Sequence, residues 1–275
     1  MLELELETAL KAAIKAREAI LEIYHTDFSV EIKSDQSPVT LADKTSEKII
    51  LSLLKEKFPD YGYLSEESDD DPTRFEKNYV WIIDPLDGTK EFVARNGEFA
   101  INIGLAYKGE PILGVVDAPT LGKTYYAVKG EGAYVKEGDS VNRIFVSDRG
   151  PGKMIPYCSR SFSCPDAIEF AKKHRDYFAC DPIPLGSALK MAYIAEGKGD
   201  FFLRLYNGTK EWDVCAGDIL VKEAGGSILD GETLNSFVYN RKDVYNRRGY
   251  VIVNREWEFL PGLIEDWKKE HREDR

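Results

Sequence analysis

The run Val80-Trp81-Ile82-Ile83-Asp84-Pro85-Leu86-Asp87-Gly88-Thr89 closes four apolar residues with two carboxylates, a proline, a glycine and a hydroxyl. Carboxylate oxygens are hard ligands that suit Mg²⁺. The apolar stretch reads as a strand covered on both faces. Asp84 and Asp87 lie three apart, so a continuing strand would point them to opposite faces. Pro85 cannot continue a central ladder, and Gly88 accepts backbone angles that other residues avoid. A turn that brings both carboxylates to one side is therefore expected here. The amides of Gly88 and Thr89 would then face a phosphate. The plainer alternative is an acidic turn after a strand.

Metal-assisted hydrolysis needs several carboxylates from different segments and a group to orient water. Glu66 and Glu67 are adjacent, so one points inward and the other outward; Asp69, Asp70 and Asp71 follow, which also fits an exposed acidic loop. Asp213 follows Trp212 at the start of a predicted helix, where the dipole alone would favour a carboxylate. Asp43 lies three residues after Thr40, which also fits a capping box with aspartate in the glutamate position. Each of these readings is ambiguous taken singly.

The elements that would carry these residues follow from periodicity. Residues 2–24 and 40–57 carry apolar side chains at helical spacing. Tyr63–Glu67 ends a short strand, Ser68–Thr73 is a charged loop, and Lys90–Ala94 is one helical turn. Strand-like segments with glycine-containing turns run from Phe99 to Val146 and predict a largely antiparallel meander. From Met154 strands and helices alternate. The helices are predicted at Pro165–His174, Ser187–Glu196 and Trp212–Ala224, and over Glu256–His271 with a break at Pro261-Gly262. The fold class is thus α/β: an α+β subdomain over residues 1–147, with most of the metal ligands, packed on an α/β subdomain over 148–275 with Asp213 and the substrate contacts.

Composition narrows the function. A formal net charge of −11 disfavours a nucleic-acid polymer or an anionic membrane as partner. A small anionic substrate remains compatible, because bound divalent cations reverse the local sign. No apolar stretch approaches a membrane span, and the acidic start of the chain is not a signal peptide. The four cysteines show no CxxC spacing and read as reduced thiols of a cytoplasmic protein.

Three segments together resemble the signatures of the inositol monophosphatase-like superfamily of Mg²⁺-dependent, lithium-sensitive phosphatases. They are Leu64-Ser65-Glu66-Glu67, Trp81 to Thr89, and Glu211-Trp212-Asp213-Val214-Cys215-Ala216-Gly217. A closer likeness is to the CysQ-type 3'(2'),5'-bisphosphate nucleotidases. It rests on Asp35 to Thr40, Asp87-Gly88-Thr89-Lys90-Glu91-Phe92, Arg95-Asn96-Gly97-Glu98-Phe99, Pro111 to Val116, Cys158-Ser159-Arg160-Ser161 and Gly186-Ser187-Ala188-Leu189-Lys190. Inositol monophosphatases usually carry Thr-Asn-Phe where this chain has Lys90-Glu91-Phe92.

The resemblance implies a layered αβαβα sandwich of the sugar-phosphatase type. It implies two Mg²⁺ ions, three if a further ion sits near Glu66. Glu66, Asp84 and the Leu86 carbonyl would hold one, and Asp84, Asp87 and Asp213 the other. Thr89 would orient the attacking water, with Asp43 accepting the hydroxyl's proton. Gly88, Thr89, Ser187, Lys190, Arg204 and Asp213 would contact substrate. Read without the resemblance, Lys190 and Arg204 are ordinary surface charge. The implied reaction takes adenosine 3',5'-bisphosphate to AMP and phosphate, in nucleotide metabolism and sulfur assimilation. A homodimer is compatible with the family. The chain has Phe162, an apolar face with no donor, where related nucleotidases carry histidine. Two rivals stand beside this reading. One is an inositol-1-phosphate or fructose-1,6-bisphosphate phosphatase with the same metal centre. The other is a non-catalytic sensor of nucleotide or ion.

Overall fold

The computed structural model of the chain describes residues 2–32, 38–161, 164–205 and 208–270. Phe162 and the Asp35-Gln36-Ser37 part of the first nucleotidase-like motif lie outside the described residues.

Helix α1 (Glu3–Tyr24) is followed by a short antiparallel pair, β1 (Val30–Ile32) and β2 (Pro38–Thr40), and by α2 (Leu41–Lys57). Seven strands then form one sheet in chain order. They are β3 (Gly62–Ser65), β4 (Tyr79–Asp87), β5 (Ala100–Tyr107), β6 (Glu110–Ala118), β7 (Lys123–Val128), β8 (Gly132–Glu137) and β9 (Ser140–Ile144), with the short helix α3 (Thr89–Val93) after β4. Only the β3–β4 pair is parallel; β4 to β9 form the antiparallel meander that the glycine-punctuated pattern predicts.

The second half alternates: β10 (Pro156–Ser159), α4 (Cys164–Lys173), β11 (Ile183–Leu185), α5 (Leu189–Ala195), β12 (Phe201–Arg204), α6 (Glu211–Glu223), β13 (Ser227–Asp230), β14 (Tyr250–Val253) and α7 (Leu260–Glu270). Its five strands order as β11-β10-β12-β14-β13, parallel on the β11–β10–β12 side and antiparallel on the other. Strands β11 and β13 are three and four residues long, too short for periodicity to reveal. Helix α7 runs through Pro261 without a break, because a proline in the first turn lacks only an N–H that has no partner inside the helix.

Strand alternation sorts side chains into three cores and so defines the layers. In β4, Trp81 and Ile83 face the core shared with Ala9, Ala13, Ile50 and Leu54 of α1 and α2. Val80 and Ile82 face the opposite core, with Val214, Ile219 and Leu220 of α6. That core also takes Phe202 and Ile252, while their strand neighbours Phe201, Leu203, Val251 and Val253 face Phe170, Ile264 and Trp267 of α4 and α7. The order is therefore α1/α2, seven-stranded sheet, α5/α6, five-stranded sheet, α4/α7, a layered αβαβα sandwich. Both sheets bury a face against α6, and this middle layer brings α6 and β12 to the carboxyl end of β4.

Cys158 is disulfide-bonded, while Cys180 and Cys215 are free thiols, so the expectation of four reduced cysteines does not hold. Motif spacing reports CxxC units; it does not report which β-carbons the fold brings together.

Candidate active site

No turn interrupts β4 at Asp84. The strand continues through Pro85 to Asp87, and the carboxylates align by another route. Asp84 pairs with Asn102 of β5 and Asp87 pairs with Ala100, so three steps on β4 match two on β5. The extra residue is a β-bulge. Asn102 and Ala100 lie on one face of their strand, and the bulge puts Asp84 and Asp87 on one face of theirs. Pro85 is tolerated because β3 pairs only as far as Ile83, so no ladder needs an N–H from residue 85 on that side. Ser46 of α2 donates to the Pro85 carbonyl at 2.7 Å and buttresses the bulge.

The third carboxylate arrives from the other sheet's side. Asp213 sits in the first turn of α6, where it accepts the backbone N–H of Lys210. Next to it, Glu211 accepts the N–H groups of Asn240 at 2.6 Å and Arg241 at 2.8 Å, and the Arg241 Nε at 2.9 Å, which fixes the start of the helix. One carboxylate oxygen from each of Asp84, Asp87 and Asp213 lies within 4.8 Å of the other two. Glu66 lines the same cleft, at the end of β3, but is not part of that close cluster.

The electrostatics of the cluster are unfavourable as they stand. Burial holds the Asp84 carboxyl well above the usual range, and the negative charges of Glu66, Asp87 and Asp213 push it further. Burial raises Asp87 to about 6, opposed by Lys190 and the Ala188 N–H. Burial raises Asp213 to about 8, helped by Asp87 and Glu66. Oδ1 of Asp84 accepts the Leu86 N–H at 3.0 Å, while its buried Oδ2 accepts nothing. Lys190 and Arg204 offset part of this repulsion at Asp87 and Asp213, and burial still keeps both carboxyls raised. Converging oxygens and an orphaned buried acceptor fit a divalent cation such as Mg²⁺.

Thr89 and Asp43 are in contact. The Thr89 hydroxyl lies 3.0 Å from Asp43 Oδ1 and 3.3 Å from the Leu86 carbonyl. Asp43 Oδ2 accepts the Thr40 N–H and the Thr40 hydroxyl, each at 2.7 Å, and so caps α2. Capping and the contact with Thr89 looked like rival readings in the sequence; Asp43 does both, one oxygen each. Burial raises its pKa against these hydrogen bonds. Gly88 adopts φ +91°, a left-handed turn that aims α3 away, and a β-carbon there would stand 3.1 Å from the Ser187 β-carbon.

The opposite wall carries Ser187, Lys190 and Arg204. Lys190 and Arg204 are buried, so neither is surface charge. The Lys190 ammonium donates to the carbonyls of Ser187 at 2.7 Å and Leu185 at 3.1 Å, and burial depresses it to about 8. It thus anchors the 185–188 segment as well as facing the cleft. Ser159, Glu91 and Tyr250 also line the cleft and escaped the sequence reading as site residues. Glu91 and Ser159 both stand inside the nucleotidase-like motifs. Tyr250 carried no signal, since only strand pairing sets it opposite Arg204.

With this geometry in place, the comparisons with known proteins are direct. The model of the Inositol monophosphatase family matches residues 1–272. The 3'(2'),5'-bisphosphate nucleotidase CysQ of Salmonella typhimurium is 37% identical over 256 residues, covering 90% of this chain and 99% of that protein. The crystal structure of CysQ from Bacteroides thetaiotaomicron superposes with a TM-score of 0.78 at 32% identity, covering 92% of this chain and 98% of that one. The IMPase of Thermotoga maritima gives a TM-score of 0.81 at 27% identity over 99% of each chain. The chain belongs to the inositol monophosphatase family.

Proposed function

We propose that the chain is a Mg²⁺-dependent 3'(2'),5'-bisphosphate nucleotidase that converts adenosine 3',5'-bisphosphate to AMP and phosphate. The observation that carries the substrate assignment is Arg204, buried on the wall of the cleft that holds the three aspartates. A guanidinium there suits a second phosphate, which inositol-1-phosphate lacks. The likeness to the CysQ nucleotidases supports the same reading.

Asp84, Asp87 and Asp213 would hold the metal, with Glu66 and the Leu86 carbonyl at its margin. Bound Mg²⁺ would lower the pKa of water and neutralise charge on the transferring phosphoryl group. The chain's own share is positional. Thr89 places its hydroxyl where an attacking water needs an acceptor, and Asp43 Oδ1 can take the hydroxyl's proton. Because Asp43 is itself held by the cap of α2, that acceptor does not swing.

A substrate panel tests the assignment. With Mg²⁺, kcat/KM for adenosine 3',5'-bisphosphate should exceed that for inositol-1-phosphate and fructose-1,6-bisphosphate, and Li⁺ at tens of millimolar should inhibit. Preference for inositol-1-phosphate would transfer the chain to the first rival. Tight nucleotide binding with no turnover of any compound would make it a sensor.

A further inference from the structure

Three carboxylates of the metal-bearing side receive donors from the five-stranded half. Asp87 Oδ2 accepts the Ala188 N–H, Glu91 Oε1 accepts the Ser161 hydroxyl, and Glu98 accepts Arg160 and Gly186. The Glu98 contact is two-pronged. Arg160 Nε lies 2.5 Å from Oε2 and Nη2 lies 2.6 Å from Oε1, while the Gly186 N–H lies 2.7 Å from Oε2. The same guanidinium donates to the Pro184 carbonyl at 2.9 Å, at the strand that leads into Gly186. A charge-assisted fork of this kind fixes direction as well as distance.

The segment so held cannot hold itself. A β-carbon on Gly186 would stand 2.6 Å from the Glu98 carbonyl oxygen and 2.7 Å from Glu91 Cγ, so only glycine allows the approach. Ser187 follows at φ +49°, a left-handed conformation that a side chain disfavours and that persists only where the surroundings impose it. Lys190 grips the Ser187 carbonyl on one side, and Glu98 grips the Gly186 N–H on the other. Ser187 and Ala188 line the cleft; Glu98 and Arg160 are not among its lining residues.

We propose that Glu98, oriented by Arg160, is a positioning residue that sets the substrate-side wall of the cleft through Gly186 and Ser187. This rests on the reading of the cleft as a phosphomonoester site. Glu98 acts on substrate binding and leaves the water-activating pair of Thr89 and Asp43 alone.

The test is steady-state kinetics of the full chain with Mg²⁺, on whichever phosphomonoester the wild type turns over best. Glu98→Ala should raise KM about tenfold or more with kcat within about threefold. Glu98→Gln keeps an acceptor for the Gly186 N–H and should hold KM within about threefold of wild type. Arg160→Met should raise KM by about threefold or more. A Glu98→Ala variant whose melting temperature falls while KM stays within twofold would reduce Glu98 to a structural role and overturn the proposal. A fall in kcat at constant KM would overturn it too. If Glu98→Ala does not fold, an unchanged KM in Arg160→Met overturns it instead. A wild type that prefers inositol-1-phosphate refutes the nucleotide reading alone, and the same KM comparison is then made on that compound.

Discussion

Two strands of the same sheet each bury an aspartate, and their surroundings differ in kind. Asp117 of β6 receives the Arg17 Nε at 2.9 Å and the Thr124 hydroxyl at 2.8 Å. Asp200 takes Arg149 in the same way; Asp218 receives Lys222 and Tyr239 on Oδ2 and leaves Oδ1 without a hydrogen bond, but the Lys222 ammonium stands beside that oxygen too. Asp84 of β4 is as buried as Asp117, yet it meets two further aspartates and leaves one oxygen without a donor. A buried charge is tolerated when it is paired and hydrogen-bonded. The chain supplies that pairing at Asp117, Asp200 and Asp218, whereas at Asp84 it gathers carboxylates around an orphaned acceptor. A bound cation would relieve the repulsion there.

The sharpest way to break this contrast is to neutralise one aspartate of each kind. Asp84→Asn should lower kcat by about 10³ or more, equivalent to about 4 kcal/mol, and should leave metal-free stability unchanged or improved. Retention of a tenth of wild-type activity at saturating Mg²⁺ would refute its role. Asp117→Asn should do the reverse, costing about 3 kcal/mol of stability by stranding the partly buried Arg17, with kcat close to wild type. Chemical denaturation and initial rates on both variants decide it.

Asp43 stands on both sides of the contrast, since one oxygen caps a helix and the other meets Thr89. Asp43→Asn should therefore lose about 1 kcal/mol of stability and lower kcat by about 10². Thr89→Ala should lower kcat alone. The double variant should be no slower than the worse single one, because both changes disable one unit. Additive losses would show that the two residues act independently.

The contrast also sets the pH dependence of the metal-free protein. Asp87 is raised to about 6 and Asp213 to about 8. The folded state then keeps protons that the unfolded chain has already released above about pH 4. Stability must fall as pH rises through this window, by at most about 1.4 kcal/mol per pH unit for each proton. Thermal melts in chelator should show a falling melting temperature from pH 5 to pH 8. Added Mg²⁺ should restore it more at pH 8 than at pH 5.5, because protons compete with the metal. An equal Mg²⁺ shift at both values would deny that these aspartates form the metal site.

Much of this was legible without coordinates. The unbroken apolar run before Asp84 already required a strand buried on both faces, and the Thr40/Asp43 spacing already marked the start of α2. Both are local properties, readable because burial and capping repeat at fixed short spacings. The motif likeness picked out Asp84, Asp87 and Asp213 as a set, which periodicity could not do. What failed was also local in form: a turn was expected where β4 bulges, since Pro85 signals a broken ladder whether or not a neighbour strand runs alongside it.

The tertiary structure decided the rest. Whether Asp84 and Asp87 share a face depends on one unpaired residue against β5, which is a matter of register. That Lys190 secures its own loop, that Ala188 reaches back 101 residues to Asp87, and that Tyr250 lies opposite Arg204 all depend on two sheets closing on α6. By itself the sequence determined which residues can bind a cation and which segments are buried. It left open which oxygens converge and which charges stay unpaired, because side-chain chemistry is written residue by residue while convergence is set by the packing of strands and helices far apart along the chain.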